Sequence, residues 1–358
     1  MALGLPKVEI TFKQEGITAI DRGSTGVIAL ILKEADSSKI KPCAIYDSTD
    51  IPNELKEDNK RLVLDALKGY TNAPNRIELF VVDTETNDLN KALDYFETID
   101  FDYLAYPEAQ QSDKTAIETY IKNLRDTLGI KRKAVLANQK SDHEGIVNFT
   151  QNEIEVGEKT YTTGEFTARI AGILAGTDLR ISCTYADVLE VDSIPSEKRT
   201  STEAKVKDGE LVLFRECGKI KIARGVNSLT TTSEVKGSSF QKIKVVDIMD
   251  LITNDITRVA KESYLGKYAN SYDNKCLLMS AIDGYLSGLV ADGLIEKGTI
   301  KVDIDMERQK AFLKGIGVKI QDLTEKEIKE YNTQDKIFLE IRCKILDAIE
   351  DIKISCII

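Results

Sequence analysis

Hydrophobic positions recur along the chain with two different periods, and the switches between them outline the elements. Val8, Ile10 and Phe12 alternate with Glu9, Thr11 and Lys13, the period of two that predicts a half-buried strand. Val27 to Leu32 is an unbroken apolar run. It predicts a more deeply buried strand and falls far short of the ~20 residues a membrane-spanning helix needs. From Ile40 to Thr177 strand and helix patterns take turns. Ile40–Tyr46, Ile77–Val82, Phe101–Ala105 and Lys133–Ala137 read as strands. Helical patterns near Lys60–Leu67, Asp88–Phe96 and Asp113–Leu128 lie between them, and Thr163–Leu174 closes this half. In the third helix Ile117, Tyr120, Ile121, Leu124 and Leu128 share one face. Such alternation predicts an α/β domain built on a parallel sheet.

Asp192–Asp208 breaks the pattern. It is polar, contains Pro195, and reads as a connection between domains with room for a short helix. Beyond it, Glu210–Arg215 and Lys219–Ala223 predict a hairpin around Gly218. Two amphipathic helices follow, one striped by Val245, Ile248, Met249, Ile252, Ile256, Val259 and Ala260, the other by Leu278, Ile282, Tyr285, Leu286 and Leu289. A strand at Lys301–Asp305 precedes a short helix. Ile337, Leu339, Ile341, Cys343 and Ile345 then alternate with polar residues, and Ile352, Ile354, Cys356 and Ile358 continue in the same period. The expected organisation is an α/β domain at 27–191, a connection at 192–208, an α+β domain at 209–347, and extended terminal β arms at 1–26 and 348–358.

Charge and composition narrow the function. A formal charge of −10, without a dense cluster of Lys and Arg, argues against a nucleic-acid partner. Met1 to Thr11 lacks the basic start and apolar stretch of a secretion signal, so folding in a cytoplasm is expected, with no membrane insertion. Cys43, Cys183, Cys217, Cys276, Cys343 and Cys356 include no Cys-x-x-Cys pair, and most read as small core residues. The turns Asp47–Asp50, Asp83–Thr86 and Pro107-Glu108 are acidic and lack the glycines of a phosphate cradle. His143, the single histidine, lies in a loop where a general base would sit. No Gly-x-Ser-x-Gly elbow accompanies it, and it reads as a solvated loop residue. Asp303 and Asp305 share one side of a strand without the further oxygen ligands a metal requires. No catalytic residue, metal ligand or cofactor is expected.

Several segments have no catalytic logic yet carry a resemblance. They are Gly176-Thr177-Asp178-Leu179-Arg180-Ile181-Ser182-Cys183-Thr184-Tyr185, Asp208-Gly209-Glu210-Leu211-Val212-Leu213, Arg224-Gly225-Val226-Asn227-Ser228-Leu229-Thr230-Thr231, and Gly266-Lys267-Tyr268-Ala269-Asn270-Ser271. With Gly4-Leu5-Pro6, Val8-Glu9-Ile10 and Arg22-Gly23, this series resembles the tail sheath proteins of contractile phages, in the short form of defective prophages and R-type bacteriocins. The family more often has Thr at the position of Ser228. The resemblance implies a structural subunit that stacks as six-fold rings around a tail tube and contracts, with baseplate and tail terminator proteins as further partners. It implies assembly in a bacterial host cytoplasm and release within a particle. The α/β domain would lie outside, the carboxy-terminal domain inward on the tube, and the amino-terminal arm would join the carboxy-terminal domain. Arg258, Lys261 and Lys267 are then the candidates for tube contact, or else a solvated helix face. Val8, Ile10 and Phe12 at one end, and Ile352, Ile354 and Cys356 at the other, suit strand addition to a neighbouring copy; pairing within their own subunit is the alternative. An α/β enzyme and a non-polymerising binding module are the rival readings.

Overall fold

The computed structural model describes Ile20 and residues 25–357; the expected strand of Val8, Ile10 and Phe12 lies outside the described residues. In chain order the elements begin with β1 (Val27–Glu34), β2 (Cys43–Ile45), α1 (Glu57–Leu67), β3 (Arg76–Asp83), α2 (Leu89–Glu97), β4 (Tyr103–Ala105), α3 (Gln111–Lys122) and β5 (Lys133–Ala137). Next come β6 (Ile146–Phe149), β7 (Ile154–Val156), β8 (Lys159–Tyr161), α4 (Thr163–Ala175), α5 (Arg199–Lys207), β9 (Glu210–Leu211), β10 (Leu213–Glu216) and β11 (Lys219–Ile222). The last are α6 (Ile243–Val259), α7 (Tyr272–Ala291), β12 (Lys301–Ile304), α8 (Met306–Gly315), α9 (Glu325–Glu330) and β13 (Leu339–Arg342).

Seven strands form one sheet in the order β2-β3-β1-β4-β5-β6-β9, parallel except for the edge strand β2. The run Val27–Leu32 is buried throughout because β1 is covered on both faces. Ile28, Leu30 and Leu32 pack with Leu62 and Ala66 of α1 and Phe166 and Ile170 of α4. Val27, Ala29 and Ile31 pack with Phe96 of α2 and Ile117 and Ile121 of α3 on the opposite side. Burial of these six side chains is worth on the order of 10 kcal/mol before ordering costs. The helices on the first face approach closely: a Cβ on Gly172 would lie 2.2 Å from the Ala66 carbonyl oxygen. Only glycine fits there.

The described chain falls into two compact units, residues 25–254 with 345–357, and Ile20 with residues 255–344. The polar stretch 192–208, which reads as a connection in the sequence, is stitched into the larger unit. Asp192 and Ser193 exchange backbone bonds with Glu155 (2.9 and 3.0 Å), and Arg215 donates to the Asp192 carbonyl at 2.9 Å. The units part inside α6, between Asn254 and Asp255, where an uninterrupted amphipathic helix leaves no compositional mark. β9 joins the large sheet, so the expected hairpin around Gly218 is β10 with β11 alone. Cys183 is the one buried cysteine. The others sit on hairpin tips and partly exposed elements, so local apolar neighbours overstated their burial.

In the smaller unit α7 buries Leu278, Ile282, Leu286 and Leu289, and its Tyr285 hydroxyl donates to Asp255 at 2.8 Å. β12 and β13 form a two-stranded antiparallel sheet. Asp303 pairs with Lys329 at 2.8 Å, while Asp305 caps α8 by accepting the Arg308 N–H at 2.9 Å. Both carboxylates thus have structural work.

A buried ionic cluster fixes the first part of α6 to the sheet. Arg125, in the wide turn that ends α3, donates twice to Asp250 (2.8 and 2.9 Å). Lys133 of β5 reaches the same carboxylate at 2.9 Å and Asp247 at 3.1 Å, and the Tyr103 hydroxyl donates to Asp247. Burial pushes Asp250 upward, but Lys133 and Arg125 hold it below its ordinary range. Burial carries Asp247 up to about 6 despite Lys133 and Tyr103. Replacing Asp250→Ala strands two buried cations, and a loss of about 3–5 kcal/mol is expected. Denaturant unfolding measures it; a loss below ~1 kcal/mol would show the cluster to be incidental.

Candidate assembly interface

Three of the conspicuous sequence segments, 176–185, 208–213 and 224–231, meet in the larger unit, whereas 266–271 belongs to the smaller one. Residues 225–229 are buried irregular backbone, so each polar group needs a partner. The Ser228 N–H donates to the Ile146 carbonyl of β6 at 2.8 Å, and its hydroxyl donates to the His143 carbonyl at 3.0 Å. The Asn227 amide donates to the Phe240 carbonyl at 2.7 Å. Thr230 and Thr231 N–H groups donate to Asp142 at 2.6 and 2.8 Å, and the Thr231 side chain, with these N–H groups, holds that carboxyl well below its usual range. A Cβ on Gly225 would lie 2.7 Å from the Cys183 sulfur, and the Gly225 carbonyl receives the first N–H of α6, that of Ile243, at 3.0 Å. The stretch therefore braces the loop after β5, the edge of β6 and the start of α6.

Its first residue, Arg224, binds the carboxy-terminal segment. Arg224 Nε donates to Glu350 Oε2 at 3.0 Å and its Nη2 to Asp351 at 2.6 Å. Thr184 and Ser182 hydroxyls donate to Glu350 Oε1 at 2.5 and 3.1 Å, and Lys242 lies 3.5 Å from Oε2. The Glu350 side chain is 6% exposed. Burial raises its pKa, but Thr184, Arg224 and Lys242 bring it below the ordinary value. Lys242 also pairs with Asp347. Past this point the chain is bare: Ile352, Ile354 and Ile357 are 74, 82 and 97% exposed, and Cys356 is exposed. Residues 346–357 form no strand and make no backbone pairing among the described residues. Residues 351–357 are all exposed, so the alternation read in the sequence separates no buried face from an exposed one among the described residues.

The three candidate tube contacts lie close together in sequence at the end of α6. Arg258 pairs with Asp255 (3.5 Å) and Glu262 (3.9 Å), Lys261 is exposed, and the Lys267 ammonium donates to the Glu262 carbonyl. Glu262 dilutes the positive charge of this group.

His143 is buried, at 6% exposure, and not the solvated residue its polar surroundings in sequence suggest. The loop folds inward because Ser228 binds both backbone groups of His143. Its Nδ1 accepts the Gly145 N–H at 3.0 Å, which assigns the proton to Nε2, 3.2 Å from Asp126. Asp126, His143 and Glu144 place their ligand atoms within 4.8 Å, so a metal deserves a test. A metal on Nε2 would force a proton onto Nδ1, facing the Gly145 N–H. Glu144 is already bound by Lys236 at 3.0 Å, with Arg125 at 3.8 Å. The geometry is that of an ion-pair network and opposes a metal there.

Comparison with known proteins decides the family. Residues 83–228 match the phage tail sheath protein central domain, and residues 235–358 the phage tail sheath C-terminal domain. The tail sheath protein of Clostridium phage phiCD119 is 42% identical over 355 residues, covering 98% of each chain. The chain belongs to the phage tail sheath family. It is a structural subunit of the contractile-tail type and not an enzyme. The sheath fold is shared with a crystal structure of a sheath tail protein from Desulfitobacterium hafniense (TM-score 0.68, 19% identity, 84% of this chain and 94% of that one). It is also shared with the helical sheath of the anti-feeding prophage in its contracted state (TM-score 0.72, 14% identity, 99% of both chains). In this sheath chain the 224–231 stretch spans the end of the first matched segment, so the brace lies where the two family segments adjoin.

Burial pushes the His143 pKa below its ordinary 6.5, against the pull of Glu144 and Asp126 and with Arg125 and Lys236 opposing protonation. The stability that neutral His143 contributes is present above about 6.5 and is lost as pH falls through the lower folded-state value. With one histidine in the chain, NMR titration of the imidazole is unambiguous, and a midpoint below 6.5 is expected. Between pH 7.5 and 5 the wild type should lose stability relative to His143→Gln. A midpoint at or above 6.5 contradicts this.

Proposed function

We propose that this sheath subunit polymerises by exchanging terminal strands between copies, stacking as six-fold rings around a tail tube and contracting to drive the tube through a cell envelope. The observation that supports the reading is the carboxy-terminal segment: exposed isoleucines at Ile352 and Ile354, backbone unpaired among the described residues, and a root fixed at Glu350. Burying each isoleucine against a neighbour contributes about 1.5–3 kcal/mol, and each backbone bond about 0.5–1.5 kcal/mol. Such an arm keeps copies tethered while other contacts slide. Among the described residues the β12–β13 sheet has two strands, so its edges suit strand addition. Val8, Ile10 and Phe12 would serve as the second arm. The sheet-bearing half lies outside in this reading and the carboxy-terminal half faces the tube. Baseplate and tail terminator proteins bound the polymer. The subunit assembles in a bacterial cytoplasm and leaves within a phage tail or bacteriocin particle.

Deleting residues 352–358 is expected to leave a monomer that unfolds within ~2 °C of wild type, since the described residues among them, 352–357, are exposed, yet forms no sleeves by electron microscopy. Sleeves from the truncated chain, or an unfolded monomer, would refute strand exchange. Reversing Arg258, Lys261 and Lys267 to Glu is expected to weaken co-assembly with tube, more at low salt than at high. Unchanged association at both removes them from the tube contact.

A further inference from the structure

We infer that Glu350, held by Arg224, Lys242, Thr184 and Ser182, is the anchor that fixes where the carboxy-terminal arm leaves the subunit, making these positioning residues for assembly. The inference rests on the reading of 352–358 as an intermolecular arm and adds what sets the arm's origin.

Both oxygens of Glu350 are engaged, Oε1 by the two hydroxyls and Oε2 by the two cations. The donors come from three separate segments, and each is held independently of the arm. The Tyr185 N–H, next to Thr184, donates to the Ile222 carbonyl at 2.9 Å. The Gly225 N–H, next to Arg224, donates to Thr184 Oγ1 at 2.9 Å. Lys242 opens α6, whose Asp250 is locked to Arg125. The receptor is therefore preformed. Exposed ion pairs are weak tethers, whereas charge-assisted bonds shielded from water are shorter, stronger and directional. Among the described residues, three acids, Asp347, Glu350 and Asp351, make the side-chain ties of 345–357 to the rest of the unit, and Glu350 alone of them is shielded, at 6% exposure against 38 and 77%. A fixed root confines the arm to a small volume, raising its effective concentration at a neighbour's sheet edge and lowering the ordering cost of pairing.

The test uses the full chain with Glu350→Gln, which is nearly isosteric, and Arg224→Met, which removes the main cation. Trypsin cuts after Lys344, at the root, and after Lys353, beyond the anchor; the second cut serves as internal control. Both variants are expected to unfold at the wild-type midpoint. The rate of the Lys344 cut relative to the Lys353 cut should rise about tenfold as the open root becomes populated, and sleeve yield by electron microscopy should fall about tenfold. If Arg224→Met lowers the global midpoint, the Glu350→Gln ratio decides. An unchanged cleavage ratio, or a raised ratio with undiminished sleeves, overturns the anchor even where deletion of 352–358 abolishes sleeves. Sleeves from the deletion variant would instead remove the arm reading beneath it.

Discussion

A single carboxylate, that of Asp250, is shared inside the larger unit by the guanidinium of Arg125 and the ammonium of Lys133. Removing three charges from water is costly and is offset only when distances and directions are right. The cluster therefore tolerates one placement of α6 on β5 and the turn after α3. From that placement the neighbouring geometry follows. The first N–H of α6 meets the Gly225 carbonyl, and Val226 bridges to Lys242. The 224–231 stretch is thereby held against β6, and Arg224 and Lys242 are brought to the same side of Glu350. A hydrophobic face alone would allow α6 to slide; the buried charges give it a register.

The carboxy-terminal segment shows how one polypeptide can be fixed and available at once. Its acids are bound within the unit, while Ile352, Ile354 and Ile357 are exposed and the backbone of 346–357 has no internal partner among the described residues. Exposed Ile352, Ile354 and Ile357 on a solitary domain would be an aggregation hazard. Under the proposed strand exchange they are the side chains left for a neighbour. The strand pairing proposed at the tip would stand in series with the ionised, shielded carboxylate at the root, an interaction of a different kind. The carboxylate's bonds are present within the subunit, and the strand pairing is proposed to form on assembly.

The parallel sheet looks like an enzyme scaffold, and its strand ends explain why it acts as a frame. The acids there are consumed by backbone groups: Asp83 accepts from Glu85 and Thr86, and Glu108 accepts from the Lys33 N–H at 3.2 Å. His143, the one side chain suited to general base work, is buried with its ring nitrogens engaged by Gly145 and Asp126. Its role is to hold a loop.

What the sequence determined is what depends on near neighbours. The unbroken apolar run of β1, the strands β3 and β5, the helices α1, α2, α4, α6 and α7, and the alternation at 337–357 follow from spacing within a dozen residues. The resemblance of 176–185 and 224–231 likewise identified the family. β6, β7 and β8 escaped notice because three or four residues are too few to show a period. The burial of His143, the inclusion of 192–208 in the larger unit and the break inside α6 were decided by tertiary structure. So were the contacts on which the assembly reading depends. Arg125 meets Asp250 across 125 positions, and Arg224 meets Glu350 across 126. Charge signs are visible in a sequence, but a buried ion pair is defined by which charges leave water together, and only the folded chain selects them.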